Sequence, residues 1–257
     1  MQLRNVLLGI LAAGVSLAAA DLPYVGKWKT NLAKSDFGST TVTYQSLPAG
    51  EWQSTADGQS YKFKLDGKDY SDGLGNTAAW KSVDASTWQT TWKLNGKVLA
   101  VDTLKLGADG KSLAIATKGT KPNGEAIDNT ATFERVSGGP GLAGKWQTKT
   151  VKSSSPSVVE LSTSGSDGLK YSEPAMGLTC DGKLDSKDYP CTGPTLPPGW
   201  TISYTKAGAQ SLDMSIKKDG KPLYKITYTV AADGKSMIET GGAIATNEKV
   251  KVVLDRQ

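Results

Sequence analysis

The sequence predicts an all-β protein: two tandem antiparallel up-and-down β-barrels that follow an N-terminal signal peptide. Three observations lead to this prediction. Asp-Gly and Asn-Gly pairs, which suit the type I′ turns of β-hairpins, recur along the body of the chain. Between these pairs, β-branched and aromatic residues alternate with polar ones. The second half of the chain also repeats segments of the first.

Composition excludes several classes of function before any motif is considered. The chain has 257 residues and no histidine. Ser-His-Asp triads, Cys-His dyads and His-ligated zinc are therefore excluded. The body has no apolar run long enough to cross a bilayer as a helix, so we expect a protein that does not span the membrane.

Residues 1–20 have the three parts of a signal peptide. Arg4 provides the positive charge, Val6 to Leu17 form the apolar stretch, and Ala18 to Ala20 offer a small-residue cleavage pattern. We expect cleavage before Asp21 and export of the mature chain. The alternative is an uncleaved anchor, but this apolar stretch is too short to span a bilayer.

The only two cysteines, Cys180 and Cys191, are expected to form a disulfide. An exported protein meets an oxidising compartment, and a turn between the two residues would bring two strands into register. The alternative is a reactive thiol. There is no C-x-x-C spacing and no histidine that would lower a thiol pKa, so we expect a structural bridge.

The repeat sets the predicted domain organisation. Gly-Lys-Trp at 26–28 returns at 144–146, and Ala-Asp-Gly-Lys-Ser at 108–112 returns unchanged at 232–236. Offsets that stay near 120 along the chain indicate a tandem duplication. The expected organisation is a signal peptide over 1–20, a first barrel over 21–136, a Gly-rich linker over 137–141 and a second barrel over 142–257.

The arginines of the mature chain occupy equivalent positions at the two repeat ends. They are Arg135 and Arg256, while every other basic residue after the signal peptide is a lysine. Arginine is required where a planar cation stacks on a ring or donates to several fixed acceptors. The rings expected to receive them are Trp28 for Arg135 and Trp146 for Arg256.

A Gly-x-Trp on the first strand and an arginine on the last strand resemble the signature of lipocalin and calycin barrels. The chain is also similar to uncharacterised secreted bacterial proteins with lipocalin-like repeats. That similarity rests on the segment at 26–35, the Lys-Asp-Tyr-Pro at 187–190 and the Asp-Gly-Lys-Ser at 109–112. The resemblance spans both repeats. It implies a lipocalin-like fold and a periplasmic or secreted bacterial location, and it implies no activity.

The tryptophans of the first repeat are the candidate ligand-binding residues. Trp88 and Trp92 are four residues apart and share one face of a strand, and Trp52 and Trp80 lie in the same repeat. Aromatic side chains that line a barrel suit an apolar ligand. The alternative is that these tryptophans fill a small barrel core, whose interior can be just wide enough for side chains.

Asp102 is the fifth candidate. It aligns with Ile226, which lies on the apolar face of the alternating segment from Tyr224 to Val230. If the register is shared, Asp102 points into the first barrel and contacts the polar head of a ligand. A local register shift, or a wide and wet barrel mouth, is the alternative.

Neither the acidic nor the basic residues indicate a cofactor or a nucleic acid. Asp66, Asp69 and Asp72 are spaced by threes, but this spacing does not match a calcium loop. A second acidic group, with Asp181, Asp185 and Asp188, does not match it either. The net charge is small and its carriers are scattered lysines. We expect no metal, no cofactor and no nucleic-acid partner.

These observations together predict a non-enzymatic exported protein that binds a small apolar or amphipathic ligand, mainly in the first repeat. One alternative is an envelope structural or protein-interaction module, or a barrel-type inhibitor of an exported hydrolase. A further alternative is a carboxylate-dependent enzyme that acts on carbohydrate. An empty barrel interior favours ligand binding, whereas a filled core with an exposed apolar patch favours a protein partner.

Overall fold

A computed structural model describes residues 22–37, 40–247 and 249–257. The predicted signal peptide and its cleavage point before Asp21 lie outside these residues. The described chain is all-β, as predicted, with twenty strands and three short 3-10 helices at Leu32–Lys34, Pro48–Gly50 and Pro174–Met176. Within it, no helix has the length and apolarity needed to cross a membrane.

The first sheet contains ten antiparallel strands and curves into a barrel-like shape. Its strands are β2 (Thr41–Ser46), β3 (Glu51–Ala56), β4 (Gln59–Lys64), β5 (Asp66–Ser71), β6 (Thr77–Ser82), β7 (Thr87–Leu94), β8 (Lys97–Leu106), β9 (Ser112–Thr120), β10 (Ala126–Ser137) and β11 (Gly144–Ser153). Their order is β4-β3-β2-β11-β10-β9-β8-β7-β6-β5. Except for the pair β2–β11, strands that are neighbours in the sheet are also neighbours in the chain.

The second barrel also has ten antiparallel strands, and it is closed. It consists of β1 (Gly26–Thr30), β12 (Val158–Ser164), β13 (Gly168–Glu173), β14 (Leu178–Lys183), β15 (Tyr189–Thr192), β16 (Trp200–Lys206), β17 (Ser211–Lys218), β18 (Lys221–Val230), β19 (Ser236–Ala243) and β20 (Val250–Arg256). Strand β1 closes the barrel because it pairs with both β12 and β20.

The first sheet differs from the predicted barrel in having a seam. Strands β4 and β5 are its two edges and are not hydrogen-bonded to each other. Only Leu65 connects them. An antiparallel hairpin needs a connection of about two residues, so the chain turns a corner at Leu65 and the two strands diverge without pairing.

The two repeats exchange their first strands, and this corrects the predicted Arg–Trp pairs. Arg135 does not stack on Trp28; its guanidinium carbon lies 4.1 Å from the ring centroid of Trp146. Arg256 does not stack on Trp146; it lies over Trp28, also at 4.1 Å. The predicted type of contact is therefore present, but each arginine uses the tryptophan of the other repeat.

The short connection between the repeats explains the exchange. Residues 138–143 join β10 to β11, and a short connection between antiparallel strands favours a hairpin. In this hairpin, Arg135 is the direct register partner of Trp146. Strand β11 thus completes the first sheet, and β1 takes the equivalent place in the second barrel. The two sheets consequently do not follow the ranges 21–136 and 142–257 at their first strands.

The turn and alternation patterns form the hairpins that they predict. Asp57-Gly58, Asn95-Gly96 and Asp219-Gly220 each connect two strands with positive φ at both residues, as type I′ turns require. On β18, Tyr228 and Val230 are buried while the intervening Thr229 is exposed. The pair Asp181-Gly182 is an exception, because it lies inside β14 instead of at a turn.

The predicted disulfide is present. Cys180 and Cys191 are bonded and are direct register partners on β14 and β15. Cys180 is buried in the core of the second barrel, and Cys191 packs against that core. The bridge therefore ties together two short strands that share few backbone pairs.

The repeats also contact each other outside the exchanged strands. The hydroxyl of Tyr224 in the second repeat donates to the Asp57 carboxylate in the first, at 3.1 Å. The adjacent Gly58 approaches Ala245 so closely that a Cβ at Gly58 would overlap the alanine side chain. These contacts place the β3–β4 turn against the second repeat.

Candidate functional site

The first sheet encloses a cavity of about 280 Å³. Aromatic side chains and one partly buried carboxylate dominate its inner wall. The residues that carry these groups are Tyr44, Tyr61, Trp80, Trp92 and Asp102. Ser54, Leu104 and Ile115 complete the inner wall, and Asp57, Gln59, Asp72 and Tyr224 lie among the remaining lining residues.

Strand register brings Trp92 and Asp102 together. Trp92 on β7 is paired with Ala100 on β8, so Asp102 is its diagonal neighbour on the same inward face. Asp102 is in turn directly opposite Thr117 on β9. The predicted inward direction of Asp102 is therefore correct: the carboxylate lines the cavity.

Each oxygen of the Asp102 carboxylate accepts a hydrogen bond. The indole nitrogen of Trp92 donates to Oδ2 at 2.7 Å, and the Thr117 hydroxyl donates to Oδ1 at 2.6 Å. Burial raises the pKa of Asp102 above its usual value, while these two hydrogen bonds favour the ionised form and oppose the rise. A carboxylate has about four lone-pair positions, so Asp102 retains capacity for a further donor.

Aromatic contacts fix the other side of the cavity. The indole nitrogen of Trp80 donates to the Tyr61 hydroxyl at 3.0 Å, and the Tyr61 ring meets Trp92 edge to face with centroids 6.0 Å apart. Trp80 also packs edge to face with Tyr44 and stacks on Phe63 with centroids 4.4 Å apart. The aromatic side chains of this wall thus contact one another, and the Trp80 and Tyr61 polar groups are paired within it.

The five candidate ligand-binding residues separate into two groups. Trp80, Trp92 and Asp102 line the cavity. Trp88 is 6% exposed and belongs to the core of the first sheet, and Trp52 packs against the same core beside Phe63. Neither lines the cavity, so the core-filling alternative describes these two tryptophans.

Among the aromatic residues of the cavity, three tyrosines were not identified from the sequence. Tyr44 and Tyr61 come from β2 and β4, which meet Trp80 only when the sheet curves round. Tyr224 comes from the other repeat. Tyr61 offered one local signal, because it alternates with buried Phe63 on β4.

The cavity extends towards the seam and the second repeat. Gln59 at the start of β4 and Asp72 just after β5 both line it, and they lie at the ends of these strands farthest from Leu65. Tyr224 lines the same region, where burial raises its pKa to about 12. A ligand therefore has a polar rim of carboxylate, amide and phenol groups outside the aromatic wall.

The second repeat lacks this polar arrangement. Trp92, Asp102 and Thr117 correspond, 124 residues later, to Ile216, Ile226 and Gly241. The strand register is the same in both repeats, since Ile226 is paired with Gly241 as Asp102 is with Thr117. The tryptophan, the carboxylate and its hydroxyl donor are thus confined to the first repeat.

The two arginines are structural and lie away from this cavity wall. Arg135 donates to the backbone carbonyls of Gly110, Gly139, Gly141 and Ala143 at 2.6–2.7 Å. Arg256 makes the equivalent bonds to Pro23, Val25 and Gly234. Each guanidinium thus joins the end of a last strand to the segment before a Trp-bearing strand.

The acidic groups noted in the sequence stabilise turns. Asp66 accepts hydrogen bonds from the backbone of Lys68 and the hydroxyl of Tyr70. Asp185 accepts the equivalent two hydrogen bonds, from the backbone of Lys187 and the hydroxyl of Tyr189. Within residues 22–37, 40–247 and 249–257, no group of three or more Cys, Asp or Glu is arranged to hold a metal ion.

Comparison with protein-family models, with curated proteins and with solved structures finds no match. The geometry of the cavity is therefore the basis on which a function is assigned.

Proposed function

We propose that this chain is an exported, non-enzymatic protein that binds a small apolar or amphipathic molecule in the cavity of the first sheet. The observation that carries the proposal is the cavity itself, which has an aromatic wall with one partly buried carboxylate, Asp102. Ligand sites are typically mostly apolar with few polar groups. The volume of about 280 Å³ lies near the lower end of the usual range and suits a small ligand.

The aromatic wall supplies the binding energy and Asp102 supplies the orientation. A ligand that buries about 200 Å² of apolar surface gains about 5 kcal/mol from its removal from water. Asp102 accepts a hydrogen bond from the polar end of the ligand, because its present donors leave lone pairs open. This arrangement favours a molecule with an apolar body and one donor group.

Two further features support export and a lipocalin-like role. The Cys180–Cys191 disulfide is typical of proteins that fold outside the cytoplasm. Each of the two arginines stacks on a tryptophan, as the resemblance to lipocalin-like barrels implies, although the tryptophan belongs to the other repeat.

The neutral fluorescent probe N-phenyl-1-naphthylamine tests this proposal. We expect it to bind the full chain and to lose binding in Ile115→Trp, which fills the cavity from β9. Val98→Trp adds the same ring at a position that is 52% exposed and is the matched control. Equal probe binding by both variants contradicts the proposed site. Absence of binding to the native chain favours the rival role, a protein-interaction module or an inhibitor of an exported hydrolase.

A further inference from the structure

A second, larger cavity lies between the second barrel and the first sheet. Its volume is about 630 Å³. The barrel contributes Ile216, Ile226, Tyr228 and Glu239, and the first sheet contributes Ile127 and Val151. Since both sheets form its walls, this cavity exists only when the two repeats are packed together.

Two carboxylates and two phenols form one wall of this cavity. The Tyr171 hydroxyl donates to Glu173 Oε1 at 2.8 Å. Tyr228 and Glu239 are direct register partners on β18 and β19, and both line the cavity. Burial raises the pKa of Glu239, and the nearby negative charge of Glu173 raises it further.

No cation of the described chain balances these carboxylates. Neither Glu173 nor Glu239 forms an ion pair with a lysine or arginine among the described residues. Lys121 is the basic residue that lines the cavity, but its ammonium group bonds to Glu125, the Ser155 carbonyl and the Ser155 hydroxyl. Its three donors are therefore already used.

The polar wall is specific to the second repeat. Tyr228 and Glu239 correspond, 124 residues earlier, to Leu104 and Ile115, which are register partners in the first sheet. An apolar pair is therefore sufficient at this position of the fold. The second repeat instead carries a partly buried carboxylate beside a phenol, and this costs folding energy unless another group compensates the charge.

We propose that the second cavity binds an organic cation, a molecule with an ammonium group on an apolar body. The ammonium group lies between Glu173 and Glu239, and the apolar body packs on the isoleucines of the barrel and on the first sheet. Such a ligand satisfies both features of the cavity: unbalanced negative charge and apolar walls. This site is separate from the Asp102 cavity and does not depend on the function proposed there.

Calorimetric titration of the full chain with three probes of equal chain length tests the site. The probes are decylammonium, 1-decanol and decanoate. We expect decylammonium to bind about tenfold or more tightly than 1-decanol, and decanoate to bind least, as charge-assisted pairing requires. Equal binding of decylammonium and 1-decanol would overturn the proposal.

Four variants locate the binding. Glu239→Gln should weaken decylammonium about tenfold and leave 1-decanol almost unchanged. Glu134→Gln removes the same charge from an exposed residue and should change neither. Asn129→Trp narrows the cavity from the first sheet without altering a charge, and should abolish decylammonium binding even if Glu239→Gln fails to fold. Asp102→Asn should leave the Glu239-dependent decylammonium binding unchanged, so loss of that binding in this variant would move the cation site to the first sheet.

Discussion

The guanidinium of Arg135 stacks on Trp146, which is the first tryptophan of the following repeat. Arg256 makes the same contact with Trp28, at the other end of the described chain. Each tryptophan also donates its indole hydrogen to a backbone carbonyl four residues earlier, Leu142 or Tyr24. The two repeats are therefore joined by reciprocal exchange of their Trp-bearing strands.

A double-mutant cycle tests the exchange. Arg135→Lys keeps the charge but loses the planar stack and most of the carbonyl bonds, so we expect a loss of about 2 kcal/mol of unfolding free energy. The interaction energy between Arg135→Lys and Trp146→Phe should be about 1 kcal/mol. That between Arg135→Lys and Trp28→Phe should be close to zero. Denaturant unfolding measures both values. Coupling to Trp28 in place of Trp146 would show that each repeat keeps its own first strand.

Gly144→Ala tests the close packing around Arg135. Gly144 has φ of +153°, and a Cβ there would lie 2.7 Å from the Arg135 guanidinium and 2.6 Å from the Ser137 carbonyl. We expect a loss of about 2 kcal/mol in unfolding free energy because the guanidinium must move away from its acceptors. Gly139→Ala is the matched control, since no atom lies within 4 Å of a Cβ at that position. Equal stability of the two variants contradicts this account of the packing around Arg135.

The sequence was sufficient to predict that each arginine stacks on a tryptophan, but not which tryptophan. The rarity of arginine singled out Arg135 and Arg256, because a lysine cannot make the same planar contacts. Trp28 and Trp146, however, lie in nearly identical segments, so the sequence offers each arginine two equivalent rings. The length of the connection over 138–143 decides between them, because it makes β10 and β11 a hairpin.

Comparison of the two repeats predicted one residue of the cavity wall. Comparison with Ile226 placed Asp102 on the inward face, and the structure has it there. The same reasoning would have identified Glu239, which follows buried Met237 by two residues on β19. Alternation along one strand could not predict Tyr44 or Tyr224, because their place in the wall depends on sheet curvature and on packing between repeats.

The pH dependence of stability should reveal the burial of Asp102. Because burial raises its pKa, the folded chain holds a proton that the unfolded chain has already released. The stability due to this group is complete below the usual Asp pKa and is lost as pH rises through the raised value. The unfolding free energy of the native chain relative to Asp102→Asn should therefore fall as pH rises from that range towards neutrality.

Asp109→Asn is the control for this experiment, because its effect on the unfolding free energy should have the opposite pH dependence. Backbone hydrogen bonds from Lys111 and Ser112 lower the pKa of exposed Asp109. Its contribution is present above the usual Asp pKa and is lost as pH falls. Denaturant unfolding at several pH values measures both variants. A pH-independent difference between the native chain and Asp102→Asn would contradict the raised pKa.

Removal of the disulfide should destabilise the second barrel. The double variant Cys180→Ala/Cys191→Ala releases a short loop, and we expect a loss of about 2–3 kcal/mol of unfolding free energy. Thermal unfolding with and without reductant measures the effect. The reduced native chain should match the double variant. A reductant effect that persists in the double variant would contradict the assignment to this bridge.

Native mass spectrometry with organic extraction tests ligand binding by the first sheet most directly. The full chain and the Ile115→Trp variant are expressed in a bacterial host with residues 1–20 in place, recovered and compared. We predict that the native protein carries a small molecule in stoichiometric amount, that extraction releases it, and that the variant lacks it. Identical masses for the two proteins, with nothing extracted and no uptake of N-phenyl-1-naphthylamine, would contradict ligand binding in this cavity.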